Sequence, residues 1–226
     1  MLNALLPGDV LAGAVRSKAR DWLIKVRERA ADLRASTLSA VAWQEEMERL
    51  AGDVSPEDVC AAIDLDALAK KLSLPEDRAS TIDPVVPGFE GAMPYQLRMF
   101  GLRQGTAIVP HGHRKMASMH LVLRGEFRVR HYQRLGDDDA HITLVPAFDR
   151  VETPGGRSSI SDQRDNVHWL IATRGPAYTL DVIVRNLEGS TALEYLDIDG
   201  AHAGPNGSLI APRITSEQAF RKYGRA

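Results

Sequence analysis

A mainly β protein, with an antiparallel β-domain behind an α-helical N-terminal segment, is the fold class this 226-residue sequence predicts. Three observations predict it. Early in the chain apolar residues recur at helical spacing; from Leu74 to Pro94 proline and glycine interrupt the chain; beyond Tyr95, short runs of β-forming residues alternate with turn clusters. The expected organisation is a helical segment over 1–75, a linker or wrapping segment over 76–94, and a barrel over 95–226 that ends in a short helix.

In the first segment Val15, Ala19, Trp22, Val26, Ala30 and Leu33 alternate spacings of three and four, which is one face of a helix. Arg16, Lys18, Arg20, Lys25, Arg27 and Arg29 lie opposite, interleaved with Asp21, Glu28 and Asp32, and read as a solvated face. A second helix is predicted from about Leu38 to Leu50. A third begins at Ser55-Pro56-Glu57-Asp58, where serine caps, proline suits the first position and acids favour the positive helix end. The runs YQLRMF, TAIVP, SMHLVL, EFRVRHY, HITLVP, NVHWLIA and YTLDVIV then read as strands, and Thr215 to Tyr223 as a helix stopped by Gly224.

At 44% hydrophobic residues the chain has enough apolar material for a core, and its net charge of -2 gives no general attraction to nucleic acid or an anionic membrane. No apolar run reaches membrane-spanning length, and the N-terminus lacks the basic-then-apolar order of a secretory signal. The expectation is a cytoplasmic protein acting on a small molecule, with helices that pack on the barrel or mediate a homodimer. The single cysteine, Cys60, has no partner for an internal disulfide, and no thiolate zinc motif is present.

Five of the seven histidines fall between His111 and His141, and His168 lies on a later predicted strand. His111 and His113 are one residue apart, so on a strand both rings point to the same face, their backbones about 7 Å apart. Two such rings converge on one ion, and imidazole suits zinc, copper, iron and nickel alike. His120, in step with Ser118, also points inward on an uninterrupted strand, as a fourth ligand, an acid or base, or a hydrogen-bonding residue behind the ligands. His131, His141 and His202 read as structural or exposed.

Gly105, five residues, His111-Gly112-His113, eleven residues, then Gly125 resembles the first motif of the cupin family, a double-stranded β-helix barrel. Ser118 stands where that motif has its glutamate ligand. Asn166-Val167-His168 falls where the second motif has its histidine, with Gln163 and Asp165 replacing its proline and glycine. The resemblance implies a metal held by His111, His113 and His168. A three-histidine cupin without the glutamate is most similar to the thiol dioxygenases, and Ile108 to Tyr132 and Asn166 to Ile183 lean toward the cysteamine dioxygenase and plant cysteine oxidase branch. The implied cofactor is iron(II), with zinc, manganese or nickel as alternatives, and the implied reactants are a small thiol and dioxygen.

Within that resemblance Arg98 and Arg103 are candidates for binding a substrate carboxylate, against a solvated outer face, and Tyr132 for placing a phenol near the substrate, against closing a strand end. A cupin isomerase or lyase using its metal as a Lewis acid is the alternative. A metal-dependent sensor is a further one, although the helical segment lacks the cysteine and histidine ligands expected of it.

Overall fold

The computed structural model describes residues 7–225, with side chains from Lys18 onward; the Val15 and Arg16 side chains lie outside the described residues. Four helices come first: α1 (Pro7–Arg34), α2 (Ala40–Gly52), α3 (Pro56–Ile63) and α4 (Leu65–Lys71). Ser39 caps α2 by accepting from the Ala42 amide at 3.2 Å, and Ser55 caps α3 by accepting from the Asp58 amide at 3.0 Å. The sequence pattern does not separate α4 from α3. The break comes from Asp64, whose left-handed backbone (φ 53°) ends one helix while its carboxylate caps the next. Among the described residues no helix is long and apolar enough to cross a membrane.

The strands follow: β1 (Ser80–Ile82), β2 (Gln96–Leu102), β3 (Ala107–Arg114), β4 (Met116–Asp137), β5 (His141–Glu152), β6 (Arg157–Ile160), β7 (Val167–Arg185), β8 (Ala192–Leu196), β9 (His202–Ala203) and β10 (Leu209–Ile214), before α5 (Ser216–Tyr223). Their pairings are antiparallel, and the path β7, β3, β8, β10, β5, β4 returns to β7, closing a barrel. The first half of β4 and the second half of β7 also pair with β6 and β2, which extends the sheet beyond the ring. Strands thus continue past Leu187, where the obvious β-type runs end. β8 and β10 are short and mixed in composition, and pairing with β3 and β5 makes them strands. Within 76–94, β1 pairs with β2, so this proline-rich stretch supplies a strand as well as a connection.

Alternation along β4 and β7 separates two environments. Ala117, Met119 and Leu121, with Leu180, Val182 and Val184, share one apolar cluster with Trp22, Val26, Trp43 and Met47 of the helices. Met116, Ser118 and His120, with Asp181, Ile183 and Arg185, line a cavity on the other face. The helices therefore cover one side of the sheet and leave the other free for chemistry.

An ionic cluster fixes β8 beside β3. Glu194 accepts from Arg114 Nε at 3.0 Å, Arg134 Nη2 at 2.5 Å and Arg213, and it pairs in register with Gly112, between the two histidines of β3. Burial raises the Glu194 carboxyl, but hydrogen bonds from Arg134 and Arg213 outweigh it and hold its pKa at about 2, against an ordinary 4.5. A carboxylate depressed on folding contributes stability above its unfolded pKa and loses it as pH falls through the folded one. We expect Glu194→Gln to cost about 1–3 kcal/mol at neutral pH, an amount reduced by partial solvent screening. The variant should also flatten the fall in urea midpoint between pH 4.5 and about 2. An unchanged acid limb would assign that sensitivity to other carboxylates.

Candidate metal centre

β3 places His111 and His113 on the same face, with ring centroids 4.6 Å apart, and β7 places His168 in register with His111. The His168 Nε2 lies 3.0 Å from His111 Nε2 and 3.3 Å from His113 Nε2. These three residues form, among the described residues, a group able to hold a metal ion.

The backbone around the group accounts for the glycines of the first motif. Gly105 and Gly125 have φ of 78° and 80°, and a Cβ on Gly125 would stand 2.6 Å from both the Ala177 Cβ and the Arg174 carbonyl oxygen. Asp165, in the place of the second motif's glycine, has φ 55°, a left-handed conformation that aspartate tolerates.

Hydrogen bonding sets which ring nitrogens are free. His111 Nδ1 donates to the Val109 carbonyl at 2.8 Å, which leaves Nε2 as a lone pair. His168 Nδ1 lies 3.2 Å from His120 Nε2, and His120 Nδ1 lies 2.6 Å from Asp181 Oδ2, close but out of hydrogen-bond alignment. A proton on His120 Nδ1 faces that carboxylate, so His120 Nε2 accepts from His168 Nδ1 and the His168 Nε2 is also a lone pair. Thr179 Oγ1 in turn donates to Asp181 at 2.9 Å. Burial lowers the pKa of His111 to about 4 and those of His113 and His168 well below the ordinary imidazole value. The lone pairs of His111 Nε2 and His168 Nε2 face each other across 3.0 Å and repel unless a cation lies between them, and His113 Nε2 stands 3.3 Å from His168 Nε2. Nitrogens about 2.0–2.2 Å from one ion stand roughly 3.0–3.5 Å apart, so the observed spacing fits a divalent metal.

The group opens on a cavity of about 530 Å³. Ser118, His120 and Arg98 line it; His120 stands behind His168, and Arg98 Nε donates to Asp83 at 2.8 Å. Two candidates fall elsewhere. Arg103 lies just beyond β2 on the outer surface, where its side chain pairs with Glu76 at 3.1 Å, so it is not a substrate-binding residue of this cavity. Tyr132 is buried in a separate apolar cluster with Ile142, Leu144 and Leu196 and is not available to the cavity. The bulges of β4 between Val122 and Phe127 break the alternation that relates Tyr132 to Ser118 and His120.

His131 is buried, stacked on Phe148 with centroids 4.4 Å apart, and neither ring nitrogen has a partner; His141 and His202 pair at 6.1 Å away from the centre. Asp181, Arg185 and Tyr195 also line the cavity, and neither histidine motif points to them. The alternation in the β7 run LDVIVR was the available signal for the first two.

No protein-family model matches the chain, and no curated protein matches it. Solved structures with some likeness include procruciferin, an 11S globulin from Brassica napus, at 16% identity and TM-score 0.35 over 45% of this chain and 23% of that one. A cupin superfamily protein from Desulfitobacterium hafniense gives 13% identity and TM-score 0.33 over 52% and 85%. An oxalate oxidase in complex with glycolate gives 18% and 0.39 over 54% and 57%. The chain thus spans about a quarter of the globulin and little more than half of the oxidase. Likenesses this loose carry no argument for the site.

Proposed function

We propose that this protein is an iron(II) dioxygenase that oxidises a small thiol to a sulfinate. The observation that carries the reading is the convergence of three neutral imidazoles on a cavity, with serine, at position 118, where the resembling motif has a carboxylate ligand. Held by His111, His113 and His168, iron(II) supplies an undiminished +2 charge suited to a thiolate and dioxygen together.

The chain's own residues do the rest. Asp181 and His120 hold the His168 ring in one tautomer and orientation. Ile108, Val109, Met116 and Ile183 give the cavity apolar walls that limit water at the reacting sulfur. In the overall reaction both atoms of dioxygen end on sulfur: the O–O bond breaks, two S–O bonds form, sulfur is oxidised as dioxygen is reduced, and the S–H proton is released to solvent.

The test is oxygen uptake by iron-loaded protein over a panel of small thiols, with the product identified by mass spectrometry. We expect one sulfinate per dioxygen consumed, loss of turnover on chelation, and recovery with iron(II) but not zinc. If zinc or nickel binds tightly, iron binds poorly and no thiol drives uptake, the Lewis-acid isomerase or lyase replaces this reading.

A further inference from the structure

Beside the three histidines the cavity is walled by large apolar side chains that nothing in the fold covers. In the register of β3 with β8, Tyr195 stands across from His111 and Leu193 across from His113, so both side chains emerge on the face that carries the ligand rings. The Tyr195 ring centroid lies 6.0 Å from that of His111 and 6.1 Å from that of Phe220 on α5, an aromatic row that starts at the centre. Phe100 of β2 adds to the same lining. Leu193 is 50% exposed, and Tyr195, Phe220 and Phe100 are only half-buried. Apolar side chains left open around one concave site mark a surface that a ligand covers.

The charged groups of the lining are already engaged. Asp181, the one carboxylate there among the described residues, is buried against His120 and Thr179. Arg98 pairs with Asp83 at 2.8 Å; Asp83 acts on Arg185 as well, and Arg185 is exposed, so water screens its charge. The size of the cavity points the same way. Its volume of about 530 Å³ falls within the roughly 300–1,000 Å³ that holds drug-sized ligands, far more than a two-carbon thiol fills. Water left beside so short a thiol would reach the reacting sulfur, whereas an apolar tail would displace it.

We propose that the substrate is a thiol with an uncharged apolar tail about the size of a phenyl ring, packed along Leu193, Tyr195 and Phe220 while its sulfur reaches the three histidines. That it is a thiol rests on the dioxygenase reading; the tail rests on the lining of the cavity. A carboxylate or ammonium on the tail would give up hydration for an apolar wall, which weakens binding.

Anaerobic calorimetry on the iron(II)-loaded full-length protein tests the proposal with phenylmethanethiol, mercaptoethanol, mercaptopropionate and cysteamine, and with thiol-free phenylmethanol. Phenylmethanethiol should bind roughly tenfold or more tighter than each of the other thiols, the worth of burying one apolar ring. Leu193→Asn, at a side chain already half-exposed, and Phe220→Ala should each remove about three- to tenfold of that affinity while leaving mercaptoethanol within about twofold. Leu135→Asn, on β4 at a side chain 60% exposed and outside the cavity, should retain the parental ratio. Mercaptopropionate or cysteamine binding as tightly as phenylmethanethiol, or a preference for the ring that survives both cavity variants, overturns the proposal. Oxygen uptake driven by every thiol with no preference for the ring leaves the dioxygenase reading standing and removes the apolar site. Phenylmethanethiol and phenylmethanol binding through Leu193, with no thiol driving oxygen uptake, does the reverse.

Discussion

Alanine at position 168 should abolish stoichiometric metal binding while leaving the fold in place. His168 is the one ligand from β7 and stands within 3.0 and 3.3 Å of the other two donor nitrogens, so its removal leaves two imidazoles of a single strand. Loss of a group behind a ligand costs about 10–100-fold in metal affinity, and loss of the ligand itself should exceed that. Metal stabilises only the folded chain, so the metal-dependent rise in melting temperature should vanish in His168→Ala. Circular dichroism should remain that of the parent. A variant that still binds one equivalent of metal with parental affinity would remove His168 from the centre, and His120, adjacent on β4, would be the next residue to test.

Trp43→Ala should lower the unfolding free energy by about 3–5 kcal/mol, the range for deleting a large buried aromatic. Trp43 is completely buried in the cluster that joins α1 and α2 to Met119, Leu121 and Val182 of the barrel. The same cluster faces away from the cavity, so the metal affinity of the folded variant should stay close to that of the parent. Because helices and barrel share this core, urea unfolding should remain one transition by both tryptophan fluorescence and far-ultraviolet circular dichroism. Two separated transitions would show that the helical segment folds apart from the barrel.

The part of the centre carried by local spacing was legible in the sequence. His111 and His113 sit two apart on one strand, and two-residue periodicity puts both rings on one face wherever that strand pairs. His120 was legible for the same reason, because β4 runs without a bulge from Ser118 to His120. Tyr132 lies away from the cavity because the bulges of β4 between Val122 and Phe127 change the face on which later residues emerge. Such bulges depend on which residues oppose one another across strands, and Gly125 alone does not reveal their number. Of the two arginine candidates, Arg103 takes the solvated outer face, since it follows the end of β2 at Leu102 and its side chain pairs with Glu76.

The residues missed altogether owe their roles to register between distant strands. Asp181 reaches His120 because β4 and β7 pair His120 with Asp181, and Arg185 stands across from Met116 by the same register. Nothing within ten residues of either encodes that pairing. The barrel's closing strands were hidden in a similar way, since β8 and β10 hold together through Glu194 and its arginines more than through an apolar pattern.

X-ray absorption at the iron edge, on anaerobic protein before and after adding a small thiol, reads the ligands of the three-histidine centre and the arrival of thiolate sulfur. Nitrogen scatterers are expected at about 2.0–2.2 Å with the outer-shell pattern of three imidazoles, and a new sulfur scatterer near 2.3 Å once thiol is added. A carboxylate among the resting ligands, or a spectrum that gains no sulfur at saturating thiol, would contradict this.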